Sequence, residues 1–86
     1  MPEVSRFLGI IIAMYHRDHA PPHFHAVYGD YEASFAIEDF RIIAGKLPSR
    51  VTGLVIEWAT LHKKELEQDW QLCVEQMPLK KIKPLV

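Results

Sequence analysis

Histidines are concentrated in one short stretch of the sequence, residues 18–31, which runs DHAPPHFHAVYGDY. His19, His23 and His25 are three of the chain's five histidines. His23 and His25 would supply two imidazole ligands to a divalent metal ion, with His19 or Asp18 from the preceding loop as a third. Three protein ligands and one open position are typical of a catalytic metal site. A divalent metal is therefore one candidate cofactor.

The same residues also suit general acid–base chemistry, because imidazole titrates near neutral pH. On a strand, His23 and His25 point the same way, roughly 6–7 Å apart at the backbone. With Glu32 as the nearby carboxylate, such a pair is suited to RNA cleavage through the ribose 2′-hydroxyl. The third alternative is a solvated or partner-facing polar rim of a sheet, with no chemistry. The spacing alone leaves all three open.

The composition limits the function classes. The 86 residues predict a single domain over 1–86, with 49% hydrophobic and 24% charged residues. A net charge of −1 argues against nucleic-acid binding through an overall basic field. The lone cysteine, Cys73, excludes an internal disulfide and a Cys-based zinc cluster. The longest apolar run, residues 7–15, is far shorter than the roughly 20 residues of a membrane span, so we expect a cytoplasmic protein without membrane contact.

The first half of the chain has the pattern of β-strands. Residues 6–15, with three consecutive isoleucines, predict one central strand. Gly29-Asp30 predicts a two-residue hairpin turn, and residues 41–45 predict a fourth short strand. The hairpin register places Phe24, Ala26, Tyr28, Tyr31, Ala33 and Phe35 on the core face, and His23, His25, Val27, Glu32, Ser34 and Ala36 on the other face.

The second half has the pattern of α-helix. A helix is predicted to begin near Pro48 or Ser49 and to continue to about Gln76, either as one helix or as two that bend near Lys64. Trp58 and Trp70 lie in its apolar stripe, so we expect both in the core. The predicted fold is α+β, with an antiparallel-rich sheet of three to four strands covered on one face by one or two C-terminal helices.

Candidate binding residues lie beside the histidines and in the tail. Tyr15 and Arg17 precede the histidine cluster. The tail carries three lysines within four residues, which suit phosphate contacts as well as a solvated chain end: Lys80, Lys81 and Lys83.

Three stretches of the chain resemble a family of small bacterial proteins, DUF4160, a domain of unknown function. The most specific is MYHRDHAPPHFHA, and the segments EWATLHKKEL and KKIKPL are similar too. The resemblance implies a bacterial or phage origin, a gene pair like that of a toxin–antitoxin system, and residues 14–26 as the working part. It implies no activity and no catalytic residue.

The sequence and the resemblance together favour a toxin–antitoxin-type component that acts through a protein partner. The partner would be a second small protein or another copy of the chain, with RNA as an alternative. Two further hypotheses stay open: a His-dependent or metal-dependent ribonuclease or phosphodiesterase, and a phage-type inhibitor that binds a host protein. Whether the protein is an enzyme is left open.

Overall fold

A computed structural model describes residues 2–16 and 19–86. The chain forms a five-stranded antiparallel sheet followed by two helices, in the order β1 (Glu3–Phe7), β2 (Ile10–Ala13), β3 (His23–Tyr28), β4 (Tyr31–Ala36), β5 (Ile42–Lys46), α1 (Ser49–Leu61) and α2 (Lys63–Val74). Each strand pairs with the next one along the chain, so the spatial order is β1-β2-β3-β4-β5. The predicted α+β class is confirmed, but the prediction of three to four strands is wrong.

The additional strand comes from a hairpin inside the apolar run. Leu8 and Gly9 have φ angles of 51° and 78°, so the predicted single strand over residues 6–15 is two strands, β1 and β2. Positive φ at both central residues is the geometry of the type I′ turn, which joins antiparallel strands. Glycine adopts it without strain, whereas Leu8 is an uncommon occupant and is exposed.

The hairpin of β3 and β4 has the predicted register. Phe24 pairs with Phe35, and on the other face His25 pairs with Ser34 and Val27 with Glu32. The turn at Gly29-Asp30 therefore fixes which side chains lie on the histidine-bearing face.

The core lies between the sheet and α1. The rings of Phe24 and Phe35 stack with centroids 5.3 Å apart, and Trp58 meets the Phe24 ring edge-on at 6.0 Å. All three side chains are fully buried. Tyr28 and Tyr31 keep the predicted register on the same face as Phe24 and Phe35, but they are 37% and 45% exposed and lie at the margin of the core. They flank the turn at the end of the hairpin, where solvent reaches both rings.

The helical half divides at His62. This residue has φ −125° and ψ 26°, outside the helical region, and separates α1 from α2. The predicted start at Ser49 is confirmed, and of the two predicted arrangements the chain adopts two helices. The second helix ends at Val74, slightly before the predicted end.

The two edges of the sheet differ. After α2 the tail returns to β1, where the Ile82 amide donates to the Val4 carbonyl at 2.7 Å, and the Trp58 indole donates to the Lys83 carbonyl at 2.9 Å. Ile82 is only 4% exposed. Every residue of β5, in contrast, is exposed.

Candidate functional site

On the histidine-bearing face of the sheet, His25 contacts two side-chain oxygen atoms of β4. Its Nδ1 lies 3.2 Å from Ser34 Oγ and 3.4 Å from Glu32 Oε2. A carboxylate only accepts hydrogen bonds, so this arrangement favours the neutral tautomer that carries its proton on Nδ1. Nε2 is then the basic nitrogen of His25. The predicted proximity of His25, Glu32 and Ser34 is thus present in the structure.

His23 is oriented by the backbone of the proline segment. Its Nδ1 lies 2.7 Å from the Pro21 carbonyl oxygen, which only accepts, so Nδ1 is the donor and Nε2 again the basic nitrogen. The His23 side chain is buried. The chain bends at Ala20 and Pro21 before β3 begins, and the Pro21 carbonyl there lies next to the ring.

Aromatic side chains frame the histidine pair. The centroids of the His23 and His25 rings are 5.1 Å apart, Tyr15 meets His25 edge-on at 4.6 Å, and Trp70 lies 5.3 Å from His23. Trp70, predicted in the core, packs against the core as a half-buried side chain and also touches His23. Its helical spacing carries no signal of this contact, which depends on how α2 packs against the start of β3.

Two imidazoles with their Nδ1 atoms held by acceptors suit two kinds of chemistry. One ring can accept a proton while the other donates one, or both can turn Nε2 toward a metal ion. Among residues 2–16 and 19–86, no group of three or more His, Cys, Asp or Glu side chains is arranged to hold a metal. His19 is exposed, and Asp18 lies outside the described residues. The metal site therefore stays a prediction.

The other candidate binding residues are distributed over the molecule. Arg17 also lies outside the described residues. Lys81 Nζ donates to the Glu3 carbonyl, at the opposite edge of the sheet from β5. The Lys80 amide donates to Asp69 on α2, and Lys83 holds the Trp58 indole through its carbonyl. Of the predicted binding residues in the described part, only Tyr15 joins the histidines.

Asp69 of α2 is a buried carboxyl that no sequence motif indicates. Its Oδ1 accepts the Lys80 amide at 3.0 Å, whereas Oδ2 has no hydrogen-bond partner within the described residues. Burial raises the pKa of the Asp69 carboxyl, and the hydrogen bond from Lys80 opposes this increase. The residue anchors the tail to α2.

A cavity of about 300 Å³ adjoins the histidine pair. Its apolar wall includes Pro21, Pro22, Ile37 and Trp70. It shares Pro21 and Trp70 with the surroundings of His23. The side chains that recognise a ligand here would thus lie next to the side chains that could react with one.

The fold and the site are those of a small α+β protein, in which a five-stranded antiparallel sheet carries a histidine pair and Trp70 of α2 contacts one of the two rings. The chain belongs to the DUF4160 family: the family model described as "Domain of unknown function (DUF4160)" matches residues 9–71. The match covers the histidine pair, Glu32 and Trp70, and ends before the tail. Comparisons with curated proteins and with solved structures find no match. Neither described helix has the length and apolar character needed to cross a membrane.

Proposed function

We propose that this protein is a cytoplasmic component of a bacterial toxin–antitoxin-type pair and that it acts by binding a second small protein along β5. The observation that supports this proposal is the exposure of the entire strand. Ile42 and Ile43 are 39% and 38% exposed. An edge strand offers unpaired backbone donors and acceptors, and these recruit an extended segment of another chain.

The contrast with the other edge supports the same surface. The tail contacts β1 through Ile82 and Lys81, so an added strand there would have to displace it. A partner segment at β5 displaces nothing in the described structure, and it would cover Ile42 and Ile43. Burying this apolar area would drive binding, and hydrogen bonds to the β5 backbone would fix the orientation of the partner segment.

We propose a second protein, instead of a second copy, as the occupant. Lys46 is the only charged residue of β5. Two copies paired through this strand would therefore have no pair of opposite charges to stabilise the contact and fix its register. The toxin–antitoxin-like gene pair that the family resemblance implies provides a different chain as the partner.

The test is co-expression of the native gene with its neighbouring gene, followed by affinity purification through this chain. We expect the neighbour's product to co-purify with the wild type and to be lost with Ile43→Lys. The matched control is Ile56→Lys on α1, because Ile56 is also an exposed isoleucine, at 36%. Ile56→Lys should retain the partner.

Two results would contradict the proposal. One is equal co-purification with Ile43→Lys and with the wild type. The other is light scattering that shows a homodimer with no second protein bound. Capture of a host protein instead of the neighbour's product would replace this proposal with the phage-type inhibitor.

A second candidate function is RNA or phosphodiester cleavage by the histidine pair. The specific observation is the 5.1 Å separation of the His23 and His25 rings, with Glu32 beside the second ring. One imidazole would take the proton from the ribose 2′-hydroxyl as its oxygen attacks phosphorus. The other would protonate the departing 5′-oxygen. No metal ion is needed in this scheme.

Cleavage of a mixed RNA pool, with and without a metal chelator, tests this candidate. The acid–base scheme predicts a bell-shaped pH profile, insensitivity to the chelator, and loss of activity in both His23→Ala and His25→Ala. His19→Ala is the control that should retain activity. If the chelator and His19→Ala both abolish cleavage, the metal-dependent alternative is correct; if the wild type does not cleave RNA, this candidate is wrong.

A further inference from the structure

The cavity beside Trp70 combines an apolar wall with charged groups at its margin. Four charged side chains line it: Glu38, Arg41, Lys63 and Glu67. Its volume, about 300 Å³, is at the small end of the range for ligand pockets, so it suits one side chain or one small ring. Which ligand binds there depends on which of the four charged side chains already have partners within the protein.

Both cations of the cavity have partners within the chain. Arg41 Nη1 contacts both carboxylate oxygens of Asp39, at 3.0 and 3.1 Å. Lys63 Nζ donates to the Glu38 carbonyl at 2.7 Å and lies 5.8 Å from the centre of the Phe40 ring. Asp39 thus neutralises Arg41, whereas Lys63 is held by a neutral carbonyl and keeps its positive charge, so that Glu38, Glu67 and Lys63 together give the cavity a net charge of −1.

The two carboxylates differ from the two cations in their hydrogen bonding. Within residues 2–16 and 19–86, neither Glu38 nor Glu67 has an ion pair or a side-chain hydrogen bond. Trp70 completes the cavity, and indole is the aromatic ring that attracts cations most strongly. An apolar wall with an indole, and two carboxylates that outnumber the one ammonium whose charge is not neutralised, is complementary to a cation on an apolar stem.

We infer that this cavity binds an arginine or lysine side chain of the partner protein. The inference rests on the proposed partner-binding role and specifies the chemistry of the partner. The aliphatic stem would lie against Pro21, Pro22 and Ile37, and the charged head would face Trp70 and the two glutamates. Arg41, which lines the cavity, directly precedes β5, so the cavity and the proposed partner strand are adjacent.

A small probe tests the cavity independently of any partner. Nα-acetyl-arginine methylamide is titrated into the ¹⁵N-labelled protein, and the two indole N–H signals are followed by NMR. We expect the Trp70 signal to shift saturably, at millimolar probe. The Trp58 signal should stay in place, because that indole is hydrogen-bonded to Lys83 on the other side of the core. The citrulline analogue, which has the same shape without the charge, should cause no comparable shift.

Variants of surface carboxylates provide the matched comparison. Glu67→Gln and Glu38→Gln should each weaken probe binding about two- to fivefold, the effect of losing one exposed charge interaction. Glu57→Gln, an exposed glutamate of α1 outside the cavity, should leave it unchanged.

Three results would overturn the inference. They are equal shifts with the citrulline analogue, no Trp70 shift with the arginine probe, and a stronger Trp70 shift with adenosine monophosphate, which would make the cavity a nucleotide site. None of them affects the co-purification test on Ile43. Loss of the cavity proposal and loss of the β5 proposal are therefore separate outcomes.

Discussion

His25 Nδ1 lies 3.4 Å from Glu32 Oε2 across the β3–β4 hairpin, and this contact results directly from the strand register. Glu32 pairs with Val27, so it is the diagonal neighbour of His25 on the same face. Ser34, directly opposite His25, adds a second oxygen at 3.2 Å. The hairpin turn thus determines which nitrogen of His25 is basic.

The first prediction concerns this tautomer. Neutral His25 should carry its proton on Nδ1, because both neighbouring oxygens can accept it. ¹⁵N NMR of the imidazole ring measures the tautomer directly. In the Glu32→Ala, Ser34→Ala double variant the Nδ1–H preference should be weaker, whereas His62, whose Nδ1 contacts Glu65 at 2.6 Å, should keep its signals. A wild-type His25 protonated on Nε2 would refute the assignment.

The second prediction compares two glycines. A Cβ at Gly45 would lie 2.1 Å from the Glu32 carbonyl oxygen, and its φ is +75°. Gly45→Ala should therefore lower the free energy of unfolding by about 1–3 kcal/mol or more. Gly53→Ala, in open space within α1, should raise it by about 0.5–1 kcal/mol. Urea unfolding monitored by tryptophan fluorescence measures both, and similar effects at the two sites would contradict the β4–β5 geometry.

The third prediction concerns Asp69 and pH. Because burial raises the pKa of this carboxyl, the folded protein binds the proton more tightly than the unfolded chain does. The group's contribution to the free energy of unfolding therefore falls as pH rises from the ordinary aspartate range through the raised value, and it is constant above that. Relative to the wild type, Asp69→Asn should gain more stability at neutral pH than at about pH 3.

Asp69→Ala serves as the comparison for that variant. It removes the acceptor of the Lys80 amide as well as the charge, so it should destabilise the protein by about 1–3 kcal/mol at neutral pH. Thermal unfolding across a pH series measures both variants. A stability difference between Asp69→Asn and the wild type that does not change with pH would show that the ionised Asp69 carboxylate does not destabilise the folded state.

The fourth prediction concerns the tail as part of the folded structure. Ile82 is 4% exposed, and its amide bonds to Val4 on β1. Ile82→Ala should lower the free energy of unfolding by about 2–4 kcal/mol, the usual result of shortening a buried isoleucine. Val86→Ala, 79% exposed, should change it by less than about 0.5 kcal/mol. Equal effects in urea unfolding would mean that the tail does not pack in solution.

The β3–β4 hairpin could be predicted from the sequence because two local signals agree. Gly29-Asp30 provides the turn, and alternating Phe24 and Ala26 provide a face for the core. The β1–β2 hairpin was missed because Leu8-Gly9 lies inside an apolar run that also fits one long buried strand. Gly9 within that run signals a turn, but Leu8 beside it is a poor turn residue, so the pair does not match a typical turn pattern.

The surroundings of the histidines could be predicted only in part. Contacts within the hairpin, such as His25 with Ser34, follow from the register. The contact of Trp70 with His23 depends on the break in the helix at His62, because this break sets the direction of α2 relative to α1. Helical spacing shows that Trp70 belongs to an apolar stripe, but it does not show against which part of the sheet the stripe packs. Tertiary packing therefore determines the cavity.

Amide hydrogen exchange on the complex tests most directly whether β5 binds the partner. The protein is compared alone and co-purified with the product of the neighbouring gene. We predict that slowed exchange on binding is concentrated in Ile42–Lys46, because an added strand supplies hydrogen-bond partners to that edge. Unchanged exchange over Ile42–Lys46, with new protection confined to β1 and the tail, would contradict the proposal.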